Sequence, residues 1–318
     1  MRLLILGCSS IAQRRVLPAA ARVAAIDEIS IASKSRAAPA DWPKRGRFFA
    51  DYGSALRESG ADLVYVSLPN ALHEPWIFEA LAAGRHVIVD KPALTTRQAC
   101  ERAVGEARRA GLLLAEATVF AYHPHFQALQ RFVAEHGPLT LVDAQFVIPP
   151  LPIDNFRNHA GLGGGCLLDM GSYAAALIRT LGGGLKPPLA ALAGSRHPET
   201  GVDMGFSLQA RLANGAVFTG HFSFEGEYQN RLLVVGRSGS VMTERLYSPP
   251  ADYRIEWRRR IRNAEDTVTF EAADVFRNFL EAAVSAIASG EREPFYRDLL
   301  ADAQCRAAIA DALEPKQP

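Results

Sequence analysis

Several features that would narrow the function class are missing from this chain. Its 318 residues contain only four cysteines, Cys8, Cys100, Cys166 and Cys305, and none forms a CxxC pair. That spacing fits a reducing cytosol better than a disulfide framework, and it lacks a cysteine zinc signature. No run of about 18 apolar residues is free of charge, so no transmembrane helix is expected. The apolar run Leu3–Leu6 ahead of Cys8 is shorter than the h-region of about 7–15 residues that a secretion signal requires. MRLLILGCSS therefore reads as a buried first strand. Charge of one sign is missing too. The formal net charge is +1, which removes any general field toward nucleic acid or an anionic membrane. The densest basic run, Arg258, Arg259, Arg260 and Arg262, is followed by Glu265 and Asp266 and reads as a solvated strand face or edge. There is no internal repeat and no low-complexity linker.

What is present is an ordinary globular composition, 48% hydrophobic and 22% charged, in a chain long enough for two domains. Residues 1–120 alternate short apolar runs with helical patterns. Strands are expected at Leu3–Leu6, Ile29–Ser33, Leu63–Leu68, His86–Val89 and Leu112–Ala117. Helices are expected at Ile11–Val23, Pro75–Ala83 and Gln98–Ala110, the last with Thr96 as N-cap and Gly111 as its stop. Such alternation predicts a doubly wound parallel sheet, which binds ligands at the carboxyl ends of its strands. From residue 121 to 318 the rhythm changes. Helices at His125–Glu135 and Gly165–Leu181 accompany a strand at Leu141–Ile148. Six short strands then follow, at Phe206–Leu212, Val217–Phe224, Arg231–Gly236, Ser240–Thr243, Tyr253–Trp257 and Thr267–Phe270, with turn signals at Asn214-Gly215 and Ser238-Gly239. A large, mostly antiparallel sheet in an α+β domain is expected, closed by a helix at Val275–Ser289 and a helical tail to Leu313.

Two stretches carry candidate chemistry. The first turn, Gly7-Cys8-Ser9-Ser10-Ile11-Ala12, stands where G-x-G-x-x-G/A would, between strand and helix. It is a pyrophosphate cradle or a bare strand-to-helix turn. In the first reading, Ser9 replaces the second glycine, admits a phosphate moderately closely and can donate its hydroxyl. Strand 2 ends in Ala32-Ser33-Lys34-Ser35-Arg36, two hydroxyls and two cations without the acid that would bind a ribose 2′-hydroxyl. That set suits a 2′-phosphate, hence NADP(H) over NAD(H), or else is an exposed basic loop. The second stretch is Leu162–Tyr173, LGGGCLLDMGSY. Three glycines lead into a helix that sets Asp169 and Tyr173 four residues apart on one face. This is a proton-handling pair, or a capping acid beside a packed tyrosine.

With Ser67-Leu68-Pro69-Asn70-Ala71-Leu72-His73 and Gly84-Arg85-His86-Val87-Ile88-Val89-Asp90-Lys91-Pro92 upstream of Gly163–Tyr173, the chain resembles the glucose–fructose oxidoreductase, inositol dehydrogenase and rhizopine catabolism (Gfo/Idh/MocA) family. The resemblance runs nearly end to end. It implies a Rossmann domain, then an α/β domain on a large open sheet through which copies assemble as homo-dimers or homo-tetramers. Asp90 stands where glutamate is commoner in the family. Lys91 matches the residue the family sets at the reacting carbon, and the Lys91-Pro92 bond resembles one that members hold cis. Tyr173 stands where most members carry histidine. A minority of members carry tyrosine there, glucose–fructose oxidoreductase and the nucleotide-sugar 3-ketoreductases among them, and Gly7-Cys8, Ala32-Ser33, Glu227-Tyr228-Gln229-Asn230 and Leu246-Tyr247-Ser248-Pro249-Pro250 resemble those ketoreductases.

The resemblance implies an NADPH-dependent reduction of a keto-sugar, with Tyr173 as proton donor, Lys91 stabilising the alkoxide and Asp169 orienting substrate or the pair. It implies cofactor contacts from Gly7, Ser9, Ser10, Ile11, Ser33, Lys34, Ser35, Arg36, Leu68, Pro69, Asn70, Asp90 and Lys91. His73 joins them at the nicotinamide or is a helix-entry residue before Pro75. Tyr122, His123, Asn155 and Arg157 are candidates to face substrate, Arg157 as a bidentate phosphate ligand or a surface arginine. No metal is expected at His123 and His125, which lack acidic or cysteine partners nearby in sequence. Two rival readings remain: a dehydrogenase of a free sugar or cyclitol, and a non-catalytic NADP-binding sensor or scaffold.

Overall fold

The computed structural model describes residues 1–314. Its elements fall into two compact units. The first comprises Met1–Ala117 and Phe276–Leu300; the second comprises Thr118–Val275 and the chain from Ala301 on. The chain therefore returns to the first unit after leaving it, which a single boundary near residue 120 does not describe. No helix among the described residues is long and apolar enough to cross a membrane.

The first unit is built on a six-stranded parallel sheet in the order β3-β2-β1-β4-β5-β6. Its strands are β1 (Arg2–Leu6), β2 (Glu28–Ala32), β3 (Arg45–Phe49), β4 (Leu63–Val66), β5 (His86–Val89) and β6 (Leu114–Glu116). Every residue of β4 is buried, as a strand covered on both faces requires. The order reverses between β1 and β4, whose last residues Leu6 and Val66 are register partners. The turns that follow them, at Gly7 and Ser67, lie at the switch point where such sheets take ligands.

The helices of this unit are α1 (Leu17–Arg22), α2 (Tyr52–Glu58), α3 (His73–Ala82), α4 (Arg97–Ala110) and α7 (Val275–Ser289). Thr96 caps α4 by accepting from Ala99 N, and Gly111 ends it with φ 64°. The expected helix at Ile11–Val23 divides into a π-helical turn, Ala12–Val16, and α1. Pro18 supplies no N–H to the turn before it, which removes one rung of the regular ladder there. Strand β3 and helix α2 are absent from the sequence reading.

The second unit carries an eight-stranded sheet in the order β14-β13-β12-β11-β7-β10-β9-β8. The strands are β7 (Leu139–Val147), β8 (Leu185–Ala193), β9 (Gly205–Leu212), β10 (Val217–Ser223), β11 (Gln229–Gly236), β12 (Gly239–Glu244), β13 (Ile255–Ile261) and β14 (Ala264–Phe270). All neighbours are antiparallel except β7 and β10. Helix α5 (Pro124–His136) precedes the sheet, and α6 (Cys166–Gly182) packs against β7 to β10. The buried face of α6 is rich in small residues, Ala174, Ala175 and Ala176, with Leu177, Ile178 and Leu181 filling the space to Phe206, Phe218 and Phe222. The long helix α8 (Glu293–Leu313) ends the described chain.

Arg258, Arg259 and Arg260 of the basic run lie on β13, which is the second strand from the edge and not the edge itself, and Arg262 lies in the turn after it. Arg259 and Arg260 pair across to Asp266 and Glu265 on edge strand β14. Both of these arginines face their acid partners in register, so two charges of the run are neutralised by its own hairpin.

Candidate functional site

The first unit carries a candidate nucleotide-binding cluster. Gly7 has φ 100°, and a Cβ there would lie 2.1 Å from the Ser67 carbonyl oxygen. Only glycine fits where the β1 turn passes this close to the β4 turn. Ser10 and Ile11 are exposed just beyond, at the start of the helical segment, where anion-binding amides gather. Ser9 behaves differently from the sequence expectation. Asp90, as a carboxylate, accepts from Ser67 Oγ at 2.6 Å and from Tyr65 OH at 2.8 Å. Ser67 has spent its proton on Asp90, so it accepts from Ser9 Oγ at 2.7 Å. Ser9 Oγ in turn accepts from Ala12 N at 2.9 Å. Its hydroxyl proton is directed into the fold and not toward a phosphate. The expected donor is thus a brace between the two turns, with Asp90 at the hub. Burial, then the charge of Asp90, holds the Tyr65 phenol well above its ordinary range, fixing it as a donor.

Lys91 follows Asp90 and is half-buried, and the Lys91-Pro92 bond is cis. The turn after it is pinned on two sides. Ala93 N donates to Glu116 Oε2 at 2.8 Å. His73 brings Nδ1 to 2.9 Å from Pro92 O and Nε2 to 2.8 Å from Leu68 O. His73 is wholly buried at the first position of α3. It ties the Leu68-Pro69-Asn70 loop to the Lys91-Pro92 turn, in keeping with the helix-entry reading. Leu68 and Pro69 are half-buried and Asn70 is buried.

At the end of β2, Ser33 is buried and its Oγ accepts from Arg36 N at 3.1 Å, while Lys34, Ser35 and Arg36 are exposed. Lys34 Nζ lies 3.4 Å from Asp51 Oδ2 and above the rings of Tyr52 and Trp76. The Asp51 carboxylate also accepts from Ser54 N as the cap of α2, and that bond holds its carboxyl below the usual range. An acid does therefore stand near the strand-2 loop, but it arrives from β3 and is engaged with Lys34 and the helix cap.

The second unit carries a candidate cluster of its own, around the start of α6. Gly165 has φ 109°, and a Cβ there would meet Asp203 Oδ1 at 2.2 Å. Asp203 reaches into that space to cap the helix. Its Oδ2 accepts from Leu167 N at 2.6 Å and its carbonyl accepts from Cys166 N at 2.9 Å. Burial pushes the Asp203 carboxyl up, against the opposing pull of the Leu167 amide. A Cβ on Gly164 would meet the Arg157 carbonyl at 2.4 Å. Gly164 and Gly165 are thus explained by close approach of Arg157 and Asp203, not by open access for a ligand.

Asp169 and Tyr173 share the buried face of α6 as the spacing predicts, at 5% and 9% exposure. Arg157 Nε meets Asp169 Oδ2 at 2.9 Å, so this arginine engages a carboxylate of its own chain and is not a bare surface cation. Asn155 Oδ1 accepts from Arg157 N at 3.1 Å and forms the short turn that aims it. The Tyr173 ring is held by Tyr247, Phe146 and Phe120, at centroid distances of 4.8, 5.3 and 5.9 Å. Its hydroxyl lies 3.3 Å from Ser248 Oγ. Tyr122 is half-buried.

His123 is wholly buried and presents no surface to a cleft, against the expectation that it faces substrate. Its Nδ1 accepts from His125 N, and His125 Nδ1 accepts from Trp257 Nε1–H, each at 3.2 Å. Each ring therefore carries its proton on Nε2, and both of those donors are buried without a partner. Burial lowers His123 to about 4 and His125 to about 3. Among the described residues no cluster of histidine, cysteine or acid groups could hold a metal ion.

The sequence reading misses Asp203, Ser248 and Asn230 as site supports. All three come from β-strand connections or ends with no motif of their own, although Asn230 and Ser248 lie in stretches that resemble the ketoreductases.

Residues 1–118 match the profile of an oxidoreductase family with an NAD-binding Rossmann fold, and residues 126–242 match a GFO/IDH/MocA C-terminal domain. A dTDP-3,4-didehydro-2,6-dideoxy-alpha-D-glucose 3-reductase of Saccharopolyspora spinosa is 34% identical over 296 residues, 91% of this chain and 88% of that protein. One from Streptomyces violaceoruber is 37% identical over 80% of this chain and 75% of that protein. The crystal structure of a 3-ketoreductase from Actinomadura kijaniata, in complex with NADP and TDP-benzene, superimposes with a TM-score of 0.88 at 30% identity, covering 98% of each chain.

Proposed function

The chain belongs to the GFO/IDH/MocA oxidoreductase family, and from that premise we propose that it reduces a keto-sugar carried on a nucleotide diphosphate, with NADPH as hydride source. The observation that carries this reading is Tyr173. It is a tyrosine at the position where most of the family has histidine, fixed in an aromatic cage with its hydroxyl on Ser248. The 3-reductases of dTDP-linked deoxysugars among its relatives, and the NADP and TDP-benzene held by the solved ketoreductase, support both substrate class and cofactor.

The residues present fit NADP. Gly7 provides the close-approach turn that a pyrophosphate requires, with Ser10 and Ile11 exposed at the helix entrance. Lys34, Ser35 and Arg36 project at the end of β2, where a ribose 2′-phosphate would need cations and hydroxyls. Bound NADPH supplies a hydride to the carbonyl carbon. The chain supplies the rest. The Tyr173 hydroxyl can give its proton to the carbonyl oxygen. The Lys91 ammonium stabilises the negative charge developing on that oxygen. Asp169, held by Arg157, orients substrate hydroxyls from the first turn of α6. His73, Asp90 and Glu116 keep the Lys91 turn in place. Assembly into homo-dimers or homo-tetramers through the β8–β14 sheet belongs to the same reading and is checked by light scattering.

The test is a panel of free sugars, cyclitols and TDP-linked 3-keto sugars, read by loss of NADPH absorbance and, in reverse, by its appearance. Turnover confined to nucleotide-linked ketones is expected. Oxidation of a free sugar or cyclitol alone would replace this reading with a dehydrogenase, and no oxidation of NADPH with any carbonyl would leave a binding protein.

A further inference from the structure

Ser248 stands in a backbone state that a serine rarely takes. Its φ is 50°, in the left-handed region where a Cβ crowds the carbonyl. The next residue is Pro249, a neighbour that favours extended backbone before it. Arg245, three residues earlier, has φ 60°. Two such residues in one short loop persist only if the surroundings over-determine them. Asn230 does so. Its Oδ1 accepts from Tyr247 N at 2.9 Å, its Nδ2 donates to Tyr247 O at 2.8 Å, and its carbonyl accepts from Arg245 N at 2.7 Å. Asn230 is 4% exposed, so water does not compete for this clamp. Leu246, Tyr247 and Pro249 are buried, while Ser248 alone among these four is exposed.

The strained loop achieves one contact with chemical meaning: Ser248 Oγ lies 3.3 Å from the Tyr173 hydroxyl. Tyr173 is buried and Ser248 is open to water, so the pair joins an enclosed phenol to solvent. Tyr247 packs closer to the Tyr173 ring but cannot serve this way. Its own hydroxyl is buried without a partner, and burial holds it protonated.

We propose that Ser248 is the positioning and proton-relay residue for Tyr173, returning a solvent proton to the phenol in each turnover. This rests on Tyr173 being the proton donor. As the substrate oxygen takes the Tyr173 proton, the phenol O–H bond breaks and leaves a phenolate. The phenolate takes the Ser248 Oγ proton, and the serine oxygen takes one from water on its exposed side. One solvent proton is consumed for each hydride delivered, as ketone reduction requires, and no other electrons move. The 3.3 Å separation is long for a hydroxyl pair and tightens as charge develops, a behaviour common at sites without substrate.

Ser248→Gly separates function from structure, because glycine accepts φ 50° without strain and only the hydroxyl is lost. We expect Tm unchanged or raised, KM unchanged and kcat lowered about tenfold, less than the 10²–10⁴-fold typical of a direct acid. Values of kcat in mixed H₂O and D₂O, which include the return of the proton, should give a curved proton inventory for the parent and a linear one for Ser248→Gly. On a Tyr173→Phe background, Ser248→Gly should lower kcat no further. Full kcat in Ser248→Gly, in an enzyme that Tyr173→Phe cripples, overturns the relay and leaves the donor standing. Full kcat in Tyr173→Phe overturns the donor and the relay with it.

Discussion

The guanidinium of Arg157 lies 2.9 Å from the carboxylate of Asp169, bridging the loop before α6 to the first turn of that helix. The two partners are unequally enclosed: the Asp169 side chain is 8% exposed and that of Arg157 is 27% exposed. Removing the arginine takes one partner from an enclosed carboxylate, whereas water reaches the arginine side more freely. Arg157→Ala is therefore expected to destabilise the fold by about 1–3 kcal/mol, with screening on the open side keeping it at the lower end. Arg157→Lys should restore part of this, since an ammonium lacks the planar fork. Thermal melts of both variants are the check, and an unchanged Tm in Arg157→Ala would show that the pair carries nothing.

Tyr173→Phe keeps the ring and its contacts with Phe120, Phe146 and Tyr247. NADPH affinity and Tm should stay near the parent, while kcat falls about 10²-fold or more. Fluorescence titration of NADPH and steady-state turnover together decide it.

Lys34→Ala with Arg36→Ala should raise the Kd for NADPH about 10²–10⁴-fold, because two charge-assisted bonds to a 2′-phosphate are lost and each contributes about 1.5–3 kcal/mol. The Kd for NADH should change about threefold or less. Part of the Lys34 charge already faces Asp51, at 3.4 Å, which favours the lower end for NADPH. Equal losses for the two cofactors would remove the 2′-phosphate reading.

Asp203 tests the helix cap. Asp203→Ala leaves Leu167 N without its acceptor and should cost about 1–2 kcal/mol. Asp203→Asn keeps an acceptor oxygen and removes a carboxylate whose pKa burial already pushes up. It should be milder in urea unfolding, and a loss as large as that of alanine would argue against the cap.

The buried histidines set an acid limit to stability. In the fold, His123 protonates only near 4 and His125 near 3, whereas in the unfolded chain both protonate near 6.5. Below pH 6.5 the unfolded state binds more protons, so stability is full above that value and falls from pH 6.5 toward about 4 and 3. Denaturation of the parent at pH 7.5 and pH 5 should show this loss. A His123→Gln, His125→Gln variant should show a smaller pH dependence, and an equal one would mean that other groups control it.

Periodicity made the regular core legible. β4, β5 and the Thr96 to Gly111 helix stand within a residue or two of where apolar runs and capping residues put them. Strand β8 was not legible because Leu185–Ala193 contains Pro187-Pro188, and prolines argue against a strand unless it lies at an edge, as this one does. Strand β3 was hidden because RGRFF is half polar and pairs on one side only. At the site, motif residues such as Lys91, Asp169 and Tyr173 could be named, but their supports could not. Asp203 caps a helix that begins 37 residues earlier, a closure that only the tertiary fold provides. The direction of the Ser9 hydroxyl is hidden in the sequence for the same reason. It follows from Asp90, far along the chain, and not from its place in the turn.

The return of Phe276–Leu300 to the first unit has a consequence for the order in which the protein is made. Phe276, Phe279, Leu280 and Ala283 of α7 are buried, and Tyr296 OH bonds the Leu112 carbonyl. A ribosome that has finished residue 118 has therefore not released a complete nucleotide-binding unit. That unit waits, with apolar surface uncovered, until nearly the whole chain has emerged. Expression of residues 1–118 alone should yield aggregated protein, whereas a fusion that appends Val275–Leu300 through a flexible linker should remain soluble.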